Sequence, residues 1–141
     1  MRIVGYSALV SVPSGSAGSV VYRASRDADG ASVVLKTPRG RLTRAIRDRF
    51  AREHAVLEHV AGPGVIECFG LEEHDGAPVI VLADPGLGSL DTHLGGHLLP
   101  VAHALHVARG IAEALARVHS RQVVHKDVNP SNCLLYTSRC V

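Results

Sequence analysis

The chain has 141 residues, a formal net charge of +2, 46% hydrophobic and 20% charged residues, which suits about one globular domain and excludes an intrinsically disordered chain. Its longest uninterrupted apolar run, Val79 to Ala83, falls far short of the ~18 residues that cross a bilayer, and no basic segment followed by an apolar core marks a secretory signal. Three cysteines, Cys68, Cys133 and Cys140, stand at no CxxC spacing, so a disulfide framework and a zinc knuckle are both disfavoured and a reducing, cytoplasmic setting is the default.

The first third reads as β. Ala8 to Val12 and Val20 to Ala24 are short β-rich runs separated by a turn of small residues from Pro13 to Ser19. Asp27 to Gly30 then turns the chain into Ser32 to Lys36, a third strand made antiparallel by the short loop. Thr43 to Ala61 reads as a helix, with Thr43 as its cap and Gly62-Pro63-Gly64 as its stop. Its apolar stripe runs Leu42, Ile46, Phe50, Leu57 and Val60. One stripe position is missing, and Glu53 occupies it. A carboxylate on that face either snorkels to water at the stripe edge or awaits a cationic partner.

The segment from Lys36 to Glu53 is also the basic part of the chain, with Arg39, Arg41, Arg44, Arg47, Arg49 and Arg52 against Asp48 and Glu53. Without interleaved aromatics it reads as a solvated helix face and not as a nucleic-acid surface.

Val65 to Glu72 and Pro78 to Ala83 read as two more strands joined at His74-Asp75-Gly76, and Asp84 to Gly88 as a turning segment. Ser89 to His97 follows as a short helix and Pro100 to His119 as a long one. The polar stripe of the long helix, His103, His106, Arg109, Glu113 and Arg117, leaves most of its circumference apolar, so it is expected to be mostly buried. Five strands with one helix inserted after the third, then helices, is an α+β pattern of two lobes. His93 and His97 are four apart but have no evident third ligand, so no metal site is assigned to them.

The strongest motif is His125-Lys126-Asp127-Val128-Asn129-Pro130-Ser131-Asn132, set between apolar runs. An Asp and an Asn five apart on such a loop serve two roles. The Asp orients or deprotonates a hydroxyl nucleophile, and the Asn amide oxygen holds a divalent metal beside it. Alone, the stretch would equally be a surface turn punctuated by Asn-Pro.

It is not alone. The motif resembles the catalytic loop of protein kinases, and other parts of that pattern precede it in order. Val33-Val34-Leu35-Lys36 resembles the strand whose Lys holds the α and β phosphates of ATP, and Glu53 the helix Glu that pairs with that Lys. Gly15-Ser16-Ala17-Gly18-Ser19-Val20-Val21-Tyr22-Arg23-Ala24 resembles the phosphate-covering glycine loop and the strand after it. Val79 to Gly86 resembles the strand and hinge that receive adenine, with Leu82 as gatekeeper and Ala83, Asp84 and Pro85 as hinge.

The resemblance covers residues 6 to 135 and points to bacterial Ser/Thr protein kinases. The wording of the loop is similar to the kinase domain at the N-terminus of multidomain signalling proteins that also carry an ATPase-like region and a sensor histidine kinase. It implies an α+β kinase fold with an N-lobe at residues 1–83, a hinge at 84–88 and the start of a C-lobe at 89–135. It implies ATP and Mg2+ as cofactors, a protein substrate, further signalling domains in the parent chain, and no nucleic-acid partner or membrane segment. The site it implies comprises Asp127, Lys36 and Glu53 for catalysis, and Gly15, Ser16, Gly18, Val21, Leu82, Ala83, Asp84, Pro85 and Asn132 for nucleotide and metal. His125 would pack beneath the loop.

Several features depart from the pattern. The glycine loop lacks one glycine, Lys126 replaces an Arg, and Asn129 stands where a phosphate-touching Lys is usual. No Asp-Phe-Gly or Ala-Pro-Glu follows Asn132, and residues 136–141 read as a non-native tail. The parent protein is therefore expected to phosphorylate Ser or Thr, and the fragment itself to be inert. A pseudokinase that relays nucleotide state, and a small-molecule kinase of the aminoglycoside or choline type, are the alternatives.

Overall fold

The computed structural model describes residues 2–13 and 18–136. The chain forms two units. One runs up to Glu58 and resumes over Glu67–Asp84; the other takes His59–Ile66 and the chain from Pro85 onward. Residues 59–66 thus cluster with the second unit, whereas the linear division at 1–83 puts them in the first.

The first unit is a five-stranded antiparallel sheet of β1 (Tyr6–Val12), β2 (Ser19–Arg26), β3 (Ser32–Pro38), β4 (Cys68–His74) and β5 (Ala77–Ala83), in the order β1-β2-β3-β5-β4. Helix α1 (Arg44–His59) is inserted after β3, as the sequence pattern predicts. Thr43 starts it by accepting from the Ile46 N–H at both its hydroxyl (3.3 Å) and its carbonyl (3.1 Å). The β4–β5 hairpin turns on Asp75 and Gly76, both with positive φ, the conformation that a two-residue turn needs to match strand twist. In β1 the register slips between Ser7 and Val10, with Ala8 at φ +52°, which marks a bulge.

Alternate strand residues share a face, and the register sorts them. Val21, Val34, Lys36, Ile80 and Leu82 lie on one face. Ala24, Val33, Leu35, Val79 and Val81 lie on the other, and with Ile3 and Tyr6 they form the buried core. The sheet curls around this core until its outer strands meet. Tyr6 of β1 donates to Glu72 Oε1 of β4 at 2.8 Å, and the Arg26 guanidinium lies 5.1 Å from the centre of the Phe69 ring. Burial and the Glu72 carboxylate push the Tyr6 hydroxyl up to about 12.

The second unit holds β6 (Gly86–Ser89), α2 (Leu90–Leu94), α3 (Val101–Ser120), a 3-10 turn at Pro130–Asn132 and β7 (Leu134–Tyr136). Ser89 caps α2 by accepting from the Thr92 N–H, and Gly95 ends it in the left-handed conformation. Arg117 of α3 donates twice to the Ala61 carbonyl, and its guanidinium fills the space that a side chain on Gly62 would need.

Two expectations are corrected here. Residues 86–89 are not merely a turning segment: they form a strand antiparallel to β7. A four-residue strand with two glycines has no readable alternation, and its partner lies more than forty residues downstream. Helix α3 is not mostly buried either. Val118 is its one buried residue among those described, while Val101 and Leu105 stay 76% and 66% exposed. Apolar composition describes what a helix can cover, and among the described residues nothing covers these.

Candidate functional site

The first group of site residues is built on β3 and α1. Lys36 sits on β3 with Val21 and Ile80 as its cross-strand neighbours. Its Nζ lies 2.5 Å from Glu53 Oε1, and the two side chains are 22% and 33% exposed. The carboxylate that interrupts the apolar stripe of α1 therefore finds a cation, while Phe50, one turn earlier, is fully buried. The pair is partly shielded from water, and a pair of this exposure contributes at most about 1 kcal/mol, so its consequence is geometric. It fixes an ammonium on a rigid strand, which is what holding a phosphate requires.

Of the expected nucleotide contacts, Gly15 and Ser16 lie outside the described residues. Gly18 immediately precedes β2, and its carbonyl accepts from the Arg39 N–H at 3.2 Å and from Arg49 Nη2 at 2.9 Å. Val21, Val34 and Leu82 share the Lys36 face, an apolar floor beside the ammonium. Ala83 ends β5, with its N–H bonded to the Glu67 carbonyl at 2.9 Å, and Asp84 and Pro85 follow.

Asp84 is more constrained than a hinge residue read from sequence. Arg23 Nη2 donates to its Oδ1 at 3.0 Å, Arg23 Nε lies 2.8 Å from Oδ2, and the Ser32 hydroxyl donates to Oδ2 at 2.6 Å. The Asp84 side chain is only 8% exposed. One charge-assisted hydrogen bond from Nη2, the close Nε–Oδ2 ion pair and the Ser32 hydroxyl together form a clip, and it anchors the end of β5 to β2 and β3. Sequence reasoning missed Arg23 and Ser32. The available signal was Arg23 itself, a charge inside the β-rich run from Val20 to Ala24.

The second group is the loop from His125 to Asn132. Asn129 Nδ2 donates to Asp127 Oδ1 at 2.8 Å, and Asn132 Nδ2 donates to Asp127 Oδ2 at 2.9 Å and to the Asp127 carbonyl at 2.8 Å. Asn129 also caps the 3-10 turn by accepting from the Asn132 N–H at 3.2 Å. Asp127 and Asn132 are thus brought into direct contact. Asn129, whose expected meaning was a lost cation, is a brace for the carboxylate. His125 does not pack beneath the loop: its ring is exposed and Nδ1 accepts from the Asp127 N–H at 3.3 Å.

These contacts bear on ATP and Mg2+. The Asn132 amide must turn its nitrogen toward the Asp127 carboxylate, since two oxygens there would repel. That leaves Oδ1 of Asn132 directed away, and a hard cation wants such an oxygen. Mg2+ typically takes one or two protein oxygens and completes its shell with water and phosphate, so a single amide oxygen fits. Among the described residues no group of three His, Cys, Asp or Glu side chains could hold a metal by itself.

Comparison with known proteins identifies the family to which the chain is similar. A family model described as protein tyrosine and serine/threonine kinase matches residues 7–141. The DNA damage-responsive serine/threonine-protein kinase RqkA of Deinococcus radiodurans is 36% identical over 130 residues, spanning 86% of this chain and 19% of that protein. Serine/threonine-protein kinase AfsK of Streptomyces coelicolor is 31% identical over 139 residues, 95% of this chain and 17% of that one. The chain thus spans about a fifth of the length of these relatives. Among solved structures, the PknI kinase domain of Mycobacterium tuberculosis superposes with a TM-score of 0.72 at 26% identity, over 97% of this chain and 58% of that one.

Proposed function

The chain belongs to the protein kinase family, and we propose on that footing that the protein it is part of transfers the terminal phosphoryl group of ATP to serine or threonine of a protein substrate. The observation that carries this reading is the half-buried Lys36–Glu53 pair. A lysine held by a carboxylate on a separate helix is placed to bind phosphate oxygens without being free to wander, and phosphoryl transfer depends mainly on positioning and charge stabilisation.

Each residue then has a role. Lys36 holds the phosphates, and Glu53 holds Lys36. Gly18 and Val21, with Gly15 and Ser16, cover the nucleotide; Leu82, Ala83, Asp84 and Pro85 receive its base, Asp84 through its backbone because its carboxylate is engaged by Arg23 and Ser32. Asp127 accepts the hydroxyl hydrogen bond of the substrate and orients that oxygen, with Asn129 and Asn132 fixing the carboxylate. Mg2+, when bound, would neutralise developing phosphate charge and be held by Asn132. We place the protein in bacterial cytoplasmic signalling, with further signalling domains in the same parent chain. No helix among the described residues is long and apolar enough to cross a membrane.

The 141 residues themselves contain no Asp-Phe-Gly, and we expect them to be inert alone because the second metal-holding carboxylate is not among them. The test uses the full-length protein with ATP labelled on its terminal phosphate. Label should enter serine or threonine of a generic protein acceptor, and Lys36→Met should abolish it. Label in an aminoglycoside or choline panel would identify a small-molecule kinase. Nucleotide binding without turnover would identify a pseudokinase.

A further inference from the structure

Helix α1 carries a second tether whose geometry is as specific as that of Glu53. In helical projection Ile46, Phe50, Glu53 and Leu57 form the sheet-facing stripe, with Arg49 flanking it on one side and Arg47 on the other. Both arginines reach back to the sheet. Arg47 meets Glu73 of β4 at 3.4 Å, and Arg49 donates to the Gly18 carbonyl at 2.9 Å. Phe50 is the one fully buried residue of the helix, a single pivot about which polar tethers set the helix rotation.

The Arg49 contact is the informative one. The Gly18 carbonyl also takes the Arg39 N–H as β3 ends. One oxygen therefore joins the start of β2, the exit of β3 and the helix. Arg49 is also one turn before Glu53, on the same side of α1. The strand whose Val21 lies opposite Lys36, and the carboxylate that holds Lys36, are tied together through this single guanidinium. The position of Gly18 suits it. A side chain there would have three guanidinium atoms of Arg49 as its nearest neighbours, at 2.7, 3.1 and 3.3 Å. Gly18 has no positive φ, so its lack of a side chain serves the approach of Arg49 and not an unusual backbone.

We infer that Arg49 is a positioning residue, which links the seating of helix α1 to the start of β2 and thereby keeps Glu53 on Lys36. It deepens the kinase reading and rests on it only for the consequence to nucleotide binding. The coupling itself is a property of the free chain.

The test therefore measures Lys36 directly. The full-length protein is treated, without nucleotide, with a water-soluble acetylating ester, and the rate of acylation at Lys36 is followed by mass spectrometry. A lysine held by Glu53 and half-covered reacts slowly. Arg49→Ala should speed acylation roughly fivefold or more, the lower end of couplings between sites. Gly18→Ala should act in the same direction, because its methyl group displaces the guanidinium at little cost to the backbone. Arg49→Lys should recover most of the wild-type rate, since an ammonium can still donate to the carbonyl, and Arg47→Ala should leave the rate unchanged. Circular dichroism checks folding. If Arg49→Ala fails that check, Gly18→Ala and Arg49→Lys decide. A wild-type rate in Gly18→Ala, or an equal acceleration in Arg47→Ala, would overturn the inference. A fluorescent ATP analogue is titrated in parallel. If the wild-type chain binds none, the kinase reading is weakened while the acylation series still decides the role of Arg49.

Discussion

Removing the Tyr6 hydroxyl should produce a stability difference that reverses sign with pH. Tyr6 is only 8% exposed and donates to Glu72 Oε1 at 2.8 Å, while Glu72 Oε2 lies 2.7 Å from His74 Nε2. At neutral pH, Tyr6→Phe keeps the ring in the core and loses one hydrogen bond to a charged acceptor, which costs about 1.5 kcal/mol. The hydroxyl is pushed from 10.0 up to about 12 by burial first and then by the carboxylate, which opposes a phenolate beside it. A raised folded value means that the stabilisation is complete below the unfolded value and drains away as pH climbs toward the folded one. Each unit is worth about 1.36 kcal/mol, so about 2.7 kcal/mol is lost across the window. The wild-type advantage should thus vanish near pH 11, about one unit above the start of the drain, and Tyr6→Phe should be the more stable protein at pH 12. Urea denaturation of both proteins from pH 8 to 12 reads this directly. Stability curves that stay parallel throughout would refute the buried, carboxylate-facing placement of Tyr6.

Asp29, held down to about 2 by the Arg26 guanidinium and the Ala31 N–H, should contribute stability that is present above its ordinary 3.8 and lost as pH falls toward 2. Asp29→Asn should therefore show a flatter acid limb between those values in a denaturation series. Asn129→Ala should free one oxygen of Asp127 and, in the full-length protein, lower kcat about tenfold or more with little change in KM, since it disturbs orientation and not nucleotide contacts. The exposed apolar side chains Leu98, Val101 and Leu105 should make the 141-residue chain self-associate and bind a hydrophobic dye, and Leu105→Lys should reduce both in light scattering and fluorescence.

The elements that local pattern governs were readable in the sequence. The five strands, the inserted helix and the hairpin at Asp75-Gly76 all follow from alternation, capping and turn chemistry. The contact of Asp127 with Asn132 is legible as well, because five residues on one turn keep them near each other. What was not legible depends on pairing at a distance. Strand β6 has two glycines and no pattern, and exists through residues 134–136. The meeting of Tyr6 with Glu72 depends on how far a twisted sheet curls, which no window of residues encodes.

Between these extremes lies one kind of signal that the sequence carries without resolving. Glu53 interrupts an apolar stripe, and Arg23 interrupts an apolar run. A charge partly withdrawn from water is costly unless paired, so each interruption announces a partner. It does not say which. Glu53 met Lys36, 17 positions away, and Arg23 met Asp84, 61 positions away. The first partner was implied by the resemblance to the kinase pattern, in which the strand lysine pairs with the helix glutamate. The second required the register of three strands. The same asymmetry bears on how α1 is held. Partly exposed ion pairs contribute at most about 1 kcal/mol each, whereas a fully buried Phe is worth about 3–5 kcal/mol against Ala. Phe50 therefore fixes the helix to the sheet, and Arg49 and Glu53 set its rotation upon that pivot, with Arg47 on the opposite flank of the stripe. A helix seated in this way keeps its attachment when the Arg49 tether is lost but changes where its carboxylate points, which is why the position of Lys36, more than global stability, is the quantity that reports on it.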